Sequence, residues 1–215
     1  MSSTTARSGI RPGRFVLRVA AWLPAAFLVW YVAGPVLAWP VAMLTTAVTR
    51  AAFPDLVQSV EQHGHLLVIT STLKPPVATT QSVAKGLLSV DVNMLLYSFG
   101  WPMLAALILA ARQTHRLRTM ILGYVVLIPF VTWGLVAEFL KHLVFDTGAA
   151  VASQTGFTAL QREVIAYAYQ FGVLILPTVA PAVFWVLTHR RFLETFAERP
   201  AGAEAQSQSA PPRTE

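Results

Sequence analysis

Four long apolar stretches, separated by polar ones, set the layout of this chain. The first runs from about Phe15 to Val48 and carries no charge from Val19 to Val48; the others are Met94–Ala111, Thr119 to about Leu140, and Val164 to about Leu187. A helix needs ~20 mostly apolar residues to cross a bilayer, so each stretch reads as a transmembrane helix. The first is longer than one crossing requires, and it contains Pro24, Pro35 and Pro40. Proline removes a backbone donor and bends a helix, which predicts a tilted, kinked span over about 15–38 and a helical extension over about 39–52. Trp22, Trp30, Tyr31 and Trp39 are candidate anchors at the lipid headgroups, where amphipathic rings are favoured.

Between the first two apolar stretches the pattern changes. Leu66-Leu67-Val68-Ile69-Thr70-Ser71-Thr72 and Gly86-Leu87-Leu88-Ser89-Val90-Asp91-Val92 are rich in branched residues and bounded by Gly and Pro, which marks strands. Val57–Glu61 is placed to pair with the first of these across a turn at His63-Gly64, giving a small extracytoplasmic β meander over 53–93. An isolated hairpin is marginal in water, so the meander is expected to pack on the helix ends. The remaining divisions are a basic arm over 1–14, helices 2 and 3 over 94–140 with a basic loop at 112–118, a polar and partly helical loop over 141–163, helix 4 over 164–188, and a tail over 189–215. From about residue 198 that tail offers little to bury, so disorder is expected there.

Charge orients the layout. The arm with Arg18 just beyond it, the 112–118 loop and the tail hold eleven of the sixteen Lys and Arg residues, and the other two loops and their flanks hold the remaining five. Basic residues stay on the cytoplasmic side, so both termini are expected in the cytoplasm of a bacterial cell, with the chain in its inner membrane. The basic arm followed by an apolar run resembles a secretory signal, but the run far exceeds a ~7–15-residue signal core and reads as a retained anchor. Only 12% of the residues are charged, against 55% hydrophobic. Lipid is therefore the expected partner of the surface, and the basic residues serve topology rather than nucleic-acid binding. No cysteine is present, which excludes disulfides, thiolate metal sites and cysteine nucleophiles.

Candidate chemistry is sparse. Glu138 and His142 are spaced to share a helix face, and with His63 and His65 they form the one set of residues with the donors for a metal site. The alternative is a polar helix end and a turn that contains histidines. Glu138, at the outer end of the third span, is either a functional acid or the ion-pair partner of Lys141. Gln170 is placed to hydrogen-bond between helices. No serine sits in a nucleophile elbow and no paired aspartates lie in the spans, so no catalytic residue and no cofactor are assigned. A small metal-dependent membrane enzyme and a transporter subunit remain as alternatives to a non-catalytic accessory protein.

The run Val92-Asn93-Met94-Leu95-Leu96-Tyr97-Ser98-Phe99-Gly100-Trp101-Pro102 carries a resemblance. It is similar to the Val-Asn-Pro-Leu-x-Tyr-x-Tyr-Gly-Leu-Pro start of the second span in exosortase-associated membrane proteins, most nearly the exosortase H-associated type. It departs at Met94, Phe99 and Trp101. The resemblance implies as partners an exosortase, a polytopic transpeptidase that uses cysteine, arginine and histidine, and the proteins it sorts. It further implies that this cysteine-free chain is an accessory component, with Asn93, Tyr97, Gly100 and Pro102 as candidate contacts to the partner or its peptide; Glu138 joins them separately, as a carboxylate placed to pair with Lys141 or with a basic residue of a partner. Either Leu66–Thr72 or Leu88–Val92 is the expected strand edge for an added peptide strand.

Overall fold

The computed structural model describes residues 12–74, 83–84, 87–111 and 115–190. The end of the basic arm, the Pro75-Pro76 loop, part of the 112–118 loop and the tail with its expected disorder lie outside the described residues.

Helix α1 spans Pro12–Ala52 without a break, through all three of its prolines. At 1.5 Å per residue it is about 60 Å long, roughly twice the ~30 Å hydrocarbon thickness. The 39–52 segment therefore continues the first helix. The two halves of α1 differ. From Gly13 to Ala33 no residue is fully buried, whereas Gly34, Ala38, Val41, Thr45 and Thr49 form a buried stripe at helical spacing along the rest. These small residues let a sheet lie close, and the two threonines turn their hydroxyls inward, with Thr49 donating to the Thr45 carbonyl at 2.8 Å.

The sheet consists of β1 (Val57–His63), β2 (Leu66–Ser71) and β4 (Leu87–Asn93), all antiparallel, with the two-residue β3 (Val83–Ala84) beside the start of β4; the order is β1-β2-β4-β3. The turn between β1 and β2 uses Gly64 at φ +63°, a left-handed conformation costly for other residues. Leu67, Ile69, Val90 and Val92 are buried on one face, as strand alternation dictates. The sheet is fastened to α1 where Gln62 Nε2 donates to the Pro35 carbonyl at 2.8 Å and the His65 ring stacks on Tyr31 with centroids 5.3 Å apart. Strand β2 lies between β1 and β4, which corrects the expectation that Leu66–Thr72 offers an edge. Its backbone groups are used on both sides, a consequence of long-range pairing with β4.

Beyond β4 come α2 (Leu95–Ser98) and α3 (Gly100–Ala111), followed by α4 (Arg116–Lys141), a wide π-turn at 142–146, α5 (Ala149–Gln154), and α6 (Ala159–Gln170), which passes through a second π-turn at 171–175 into α7 (Leu176–Thr188). Thr158 and Gln161 form a reciprocal capping box at the start of α6, fixing where the last helix begins. Among the described residues three helices are long and apolar enough to cross a membrane: 13–52, 116–146 and 159–188; the apolar stretch 95–111 is shorter. It is broken at Phe99 into α2 and α3. One continuous core joins Val41 of α1, Leu67, Ile69 and Val92 of the sheet, Met94, Ile108 of α3, and Leu135 and Phe139 of α4.

Candidate functional site at the strand-to-helix junction

The residues from Asn93 to Pro102 turn a strand into a helix, and each has a physical job there. The Asn93 side-chain oxygen accepts from the Leu95 N–H at 3.0 Å, holding an otherwise orphaned donor at the helix start. The Met94 N–H donates to the His65 carbonyl at 3.1 Å, extending the ladder to the last possible residue. Tyr97 is only 2% exposed. Its ring lies where a side chain at Gly134 of α4 would stand, so only glycine fits at that position.

Gly100 sits against the Pro177 carbonyl of α7, leaving no room for a Cβ. That carbonyl faces Pro181, which has no N–H to donate back to it, so the close approach of Gly100 covers a group the helix cannot satisfy. Gly172 extends the junction: a Cβ there would be 3.0 Å from the Gly134 Cα. The Trp30 indole of α1 donates to Ser98 Oγ at 3.2 Å. Pro102 is buried and faces α1. Tyr97, Gly100 and Pro102 are therefore spent inside the molecule, while Asn93 is half-buried.

The sheet end of α4 carries the ionisable groups. His142 Nδ1 lies 2.6 Å from Asp146 Oδ2; Lys141 Nζ lies 2.7 Å from the same oxygen and 5.3 Å above the Tyr169 ring centre. His142 Nε2 stands 3.7 Å from Glu138 Oε1. Glu138, His142 and Asp146 are thus stacked at four-residue intervals, a carboxylate–imidazole–carboxylate ladder whose upper part lies in the π-turn. The Glu138 side chain is 13% exposed and faces the Tyr97 hydroxyl, yet neither Glu138 Oε2 nor Tyr97 Oη completes a hydrogen bond of good geometry. We read the pair as adjacent but unbonded. Lys141 pairs with Asp146, not with Glu138 as its sequence position suggests.

The metal candidates are divided between two places. His63 is exposed and pairs with Glu61 at 3.6 Å, and His65 is stacked on Tyr31, whereas Glu138 and His142 belong to α4. Among the described residues no group of three metal-ligating side chains is assembled. Sequence reasoning missed Gly134, Gly172, Asp146 and Tyr169. The glycines were visible as small residues in apolar helices, a known sign of close approach, and Asp146 follows His142 by one helical turn.

The edge of β4 completes the junction. In an antiparallel ladder alternate residues direct both backbone groups to the same neighbour. Leu88 and Met94 donate toward β2, to the Leu73 and His65 carbonyls, so Ser89, Asp91 and Asn93 direct theirs the other way. On that side β3 pairs only with Leu87 and Leu88, and among the described residues no other strand pairs with β4 there.

Several long apolar helices and a sheet hung along one of them define a multi-span membrane protein. The family profile described as exosortase H-associated membrane protein matches residues 10–192, and the chain belongs to that family. No curated protein and no solved structure matches it.

Proposed function

We propose that this chain is a non-catalytic accessory protein of an exosortase-type sorting system in the bacterial inner membrane, receiving an extended peptide along the open edge of β4. Membership of the exosortase H-associated family supports the system. The observation that carries the peptide-binding role is that edge: Ser89, Asp91 and Asn93 present backbone groups away from β2, and the strand runs straight into the apolar helices. An added strand takes its affinity from such groups and its selectivity from alternating side chains. The four apolar segments then cross the bilayer, with both termini in the cytoplasm, which puts the sheet and the β4 edge on the outer face, where sorted proteins arrive.

The test uses the parity of the strand. Asp91→Pro removes a donor from the open edge and none from the ladder with β2, and proline is tolerated on edges; Val90→Pro breaks the ladder. A photo-crosslinking residue at Ser89 should capture an exosortase or a sorted protein in cells, and Asp91→Pro should abolish capture while the protein still inserts and purifies. Undiminished capture by Asp91→Pro removes the edge from consideration. Failure to co-purify any exosortase in mild detergent removes the system. A reporter fused after Arg118 should be active only in the cytoplasm.

A further inference from the structure

An apolar groove of about 490 Å³ runs between α1 and the pair α3/α4, bounded by Trp22, Ala26 and Ala33 on one wall and by Ala105, Leu109 and Ile121 on the other. It is closed at the sheet end by two ties, Trp30 to Ser98 at 3.2 Å and the Tyr124 hydroxyl to the Leu37 carbonyl at 2.9 Å. It is open along its length, since α1 has no fully buried residue from Gly13 to Ala33. We propose that this groove holds one acyl chain of an anionic phospholipid whose phosphate is gripped by Arg18 and Arg118.

Size and charge choose this occupant. An acyl chain is a thin string of methylenes whose transfer out of water is favourable at every carbon, and it can lie along an apolar groove of this kind. The walls offer such a chain almost wholly apolar surface. Next to the lining residues Trp22, Leu117 and Ile121 the chain carries basic side chains. Arg18 lies one helical turn before Trp22 and shares its face. Arg118 lies three residues before Ile121 and is exposed. No acidic residue occurs between Pro12 and Phe53 or between Gly100 and Ala137, so nothing on these walls repels a phosphate.

The groove and its arginines do not depend on the accessory reading; only the leaflet does, since the proposed topology makes it the cytoplasmic one. The full chain, reconstituted in nanodiscs of equal phosphatidylglycerol and phosphatidylcholine and then extracted in mild detergent, is examined by native mass spectrometry for retained lipid. The expected result is about one phosphatidylglycerol per chain, enriched several-fold over phosphatidylcholine. Ala26→Phe with Ala105→Phe should empty the groove, with the size-exclusion profile reporting that the protein is still folded. Arg18→Gln with Arg118→Gln, which leaves the walls untouched, should keep a lipid but lose the preference for the anionic headgroup. Unchanged retention in the filled variant, no lipid on the wild type, or equal uptake of the two lipids by the wild type overturns the proposal, and so does a photo-crosslinker at Ala105 that captures a protein in place of lipid. None of these outcomes depends on an exosortase, so the accessory reading stands or falls separately.

Discussion

The junction of α2/α3, α4 and α7 and the groove between α1 and α3/α4 are built from the same kinds of residue in the same apolar surroundings, yet one is closed and the other open. At the junction Gly134 takes the ring of Tyr97, Gly172 approaches Gly134, and Gly100 covers the Pro177 carbonyl. In the groove the small Ala25, Ala26 and Ala33 of α1 and Ala105 of α3 lie among larger side chains, and the walls are tied by Trp30 to Ser98 and Tyr124 to Leu37. Lipid tails are as apolar as leucine, so burying apolar surface between helices brings little in a bilayer; shape decides. A glycine facing a large ring closes a contact, while side chains that do not interlock leave a gap that lipid can enter.

The largest effect is expected from Gly134→Leu. Its side chain and the Tyr97 ring cannot share one site, and overpacking of this kind costs about 1–3 kcal/mol or more; thermal unfolding in detergent should show a strong loss, partly recovered when Tyr97→Ala is added. Without that recovery the pair is not the determinant of closure. Next come the ties of the groove. Trp30→Phe keeps the ring but leaves Ser98 without its donor, and Tyr124→Phe removes the bond to Leu37; each should lower stability by about 1 kcal/mol, and the double variant should widen the groove, read as higher lipid uptake per chain.

A smaller effect is expected at the far end of α7, where His189 is buried against Trp185, which in turn stacks on Phe15. Burial holds the His189 pKa below the ordinary histidine value, opposed by its bond to the Trp185 carbonyl. The folded state thus favours the neutral ring. Its contribution is present above about pH 6.5 and is lost as pH falls through the depressed folded value. Unfolding temperature should therefore drop on acidification below about pH 6.5, and His189→Gln should flatten that slope; an equal slope in the variant assigns the dependence elsewhere. The smallest effect is that of Ala26→Leu in the groove wall, expected to change stability by no more than about 0.5 kcal/mol, in contrast to the same increase in bulk at Gly134.

The apolar stretches, the strands and the Gly64 turn were legible in the amino-acid sequence, because each depends on a local property: hydropathy over one span, alternation over one strand, or a residue able to adopt positive φ. The family resemblance marked Asn93, Tyr97, Gly100 and Pro102 as a group. Their use in closing the interior was not legible, since Tyr97 needs Gly134 and Gly100 needs Pro177, residues far along the chain that only folding brings near. Likewise the branched run Leu66–Ser71 reads as a strand from its own residues, but its central place depends on β4. The histidines at 63, 65 and 142 read alike in one dimension; the fold sends two to a hairpin turn and one to the top of α4.

The sequence by itself determined which segments prefer lipid and which prefer water, because transfer between solvents is paid for residue by residue. Tertiary structure alone decided which helices touch and which stand apart, why β2 is paired on both sides while, among the described residues, β4 beyond Leu88 is paired on one, and where a groove remains between helices, because those outcomes depend on residues meeting across the chain.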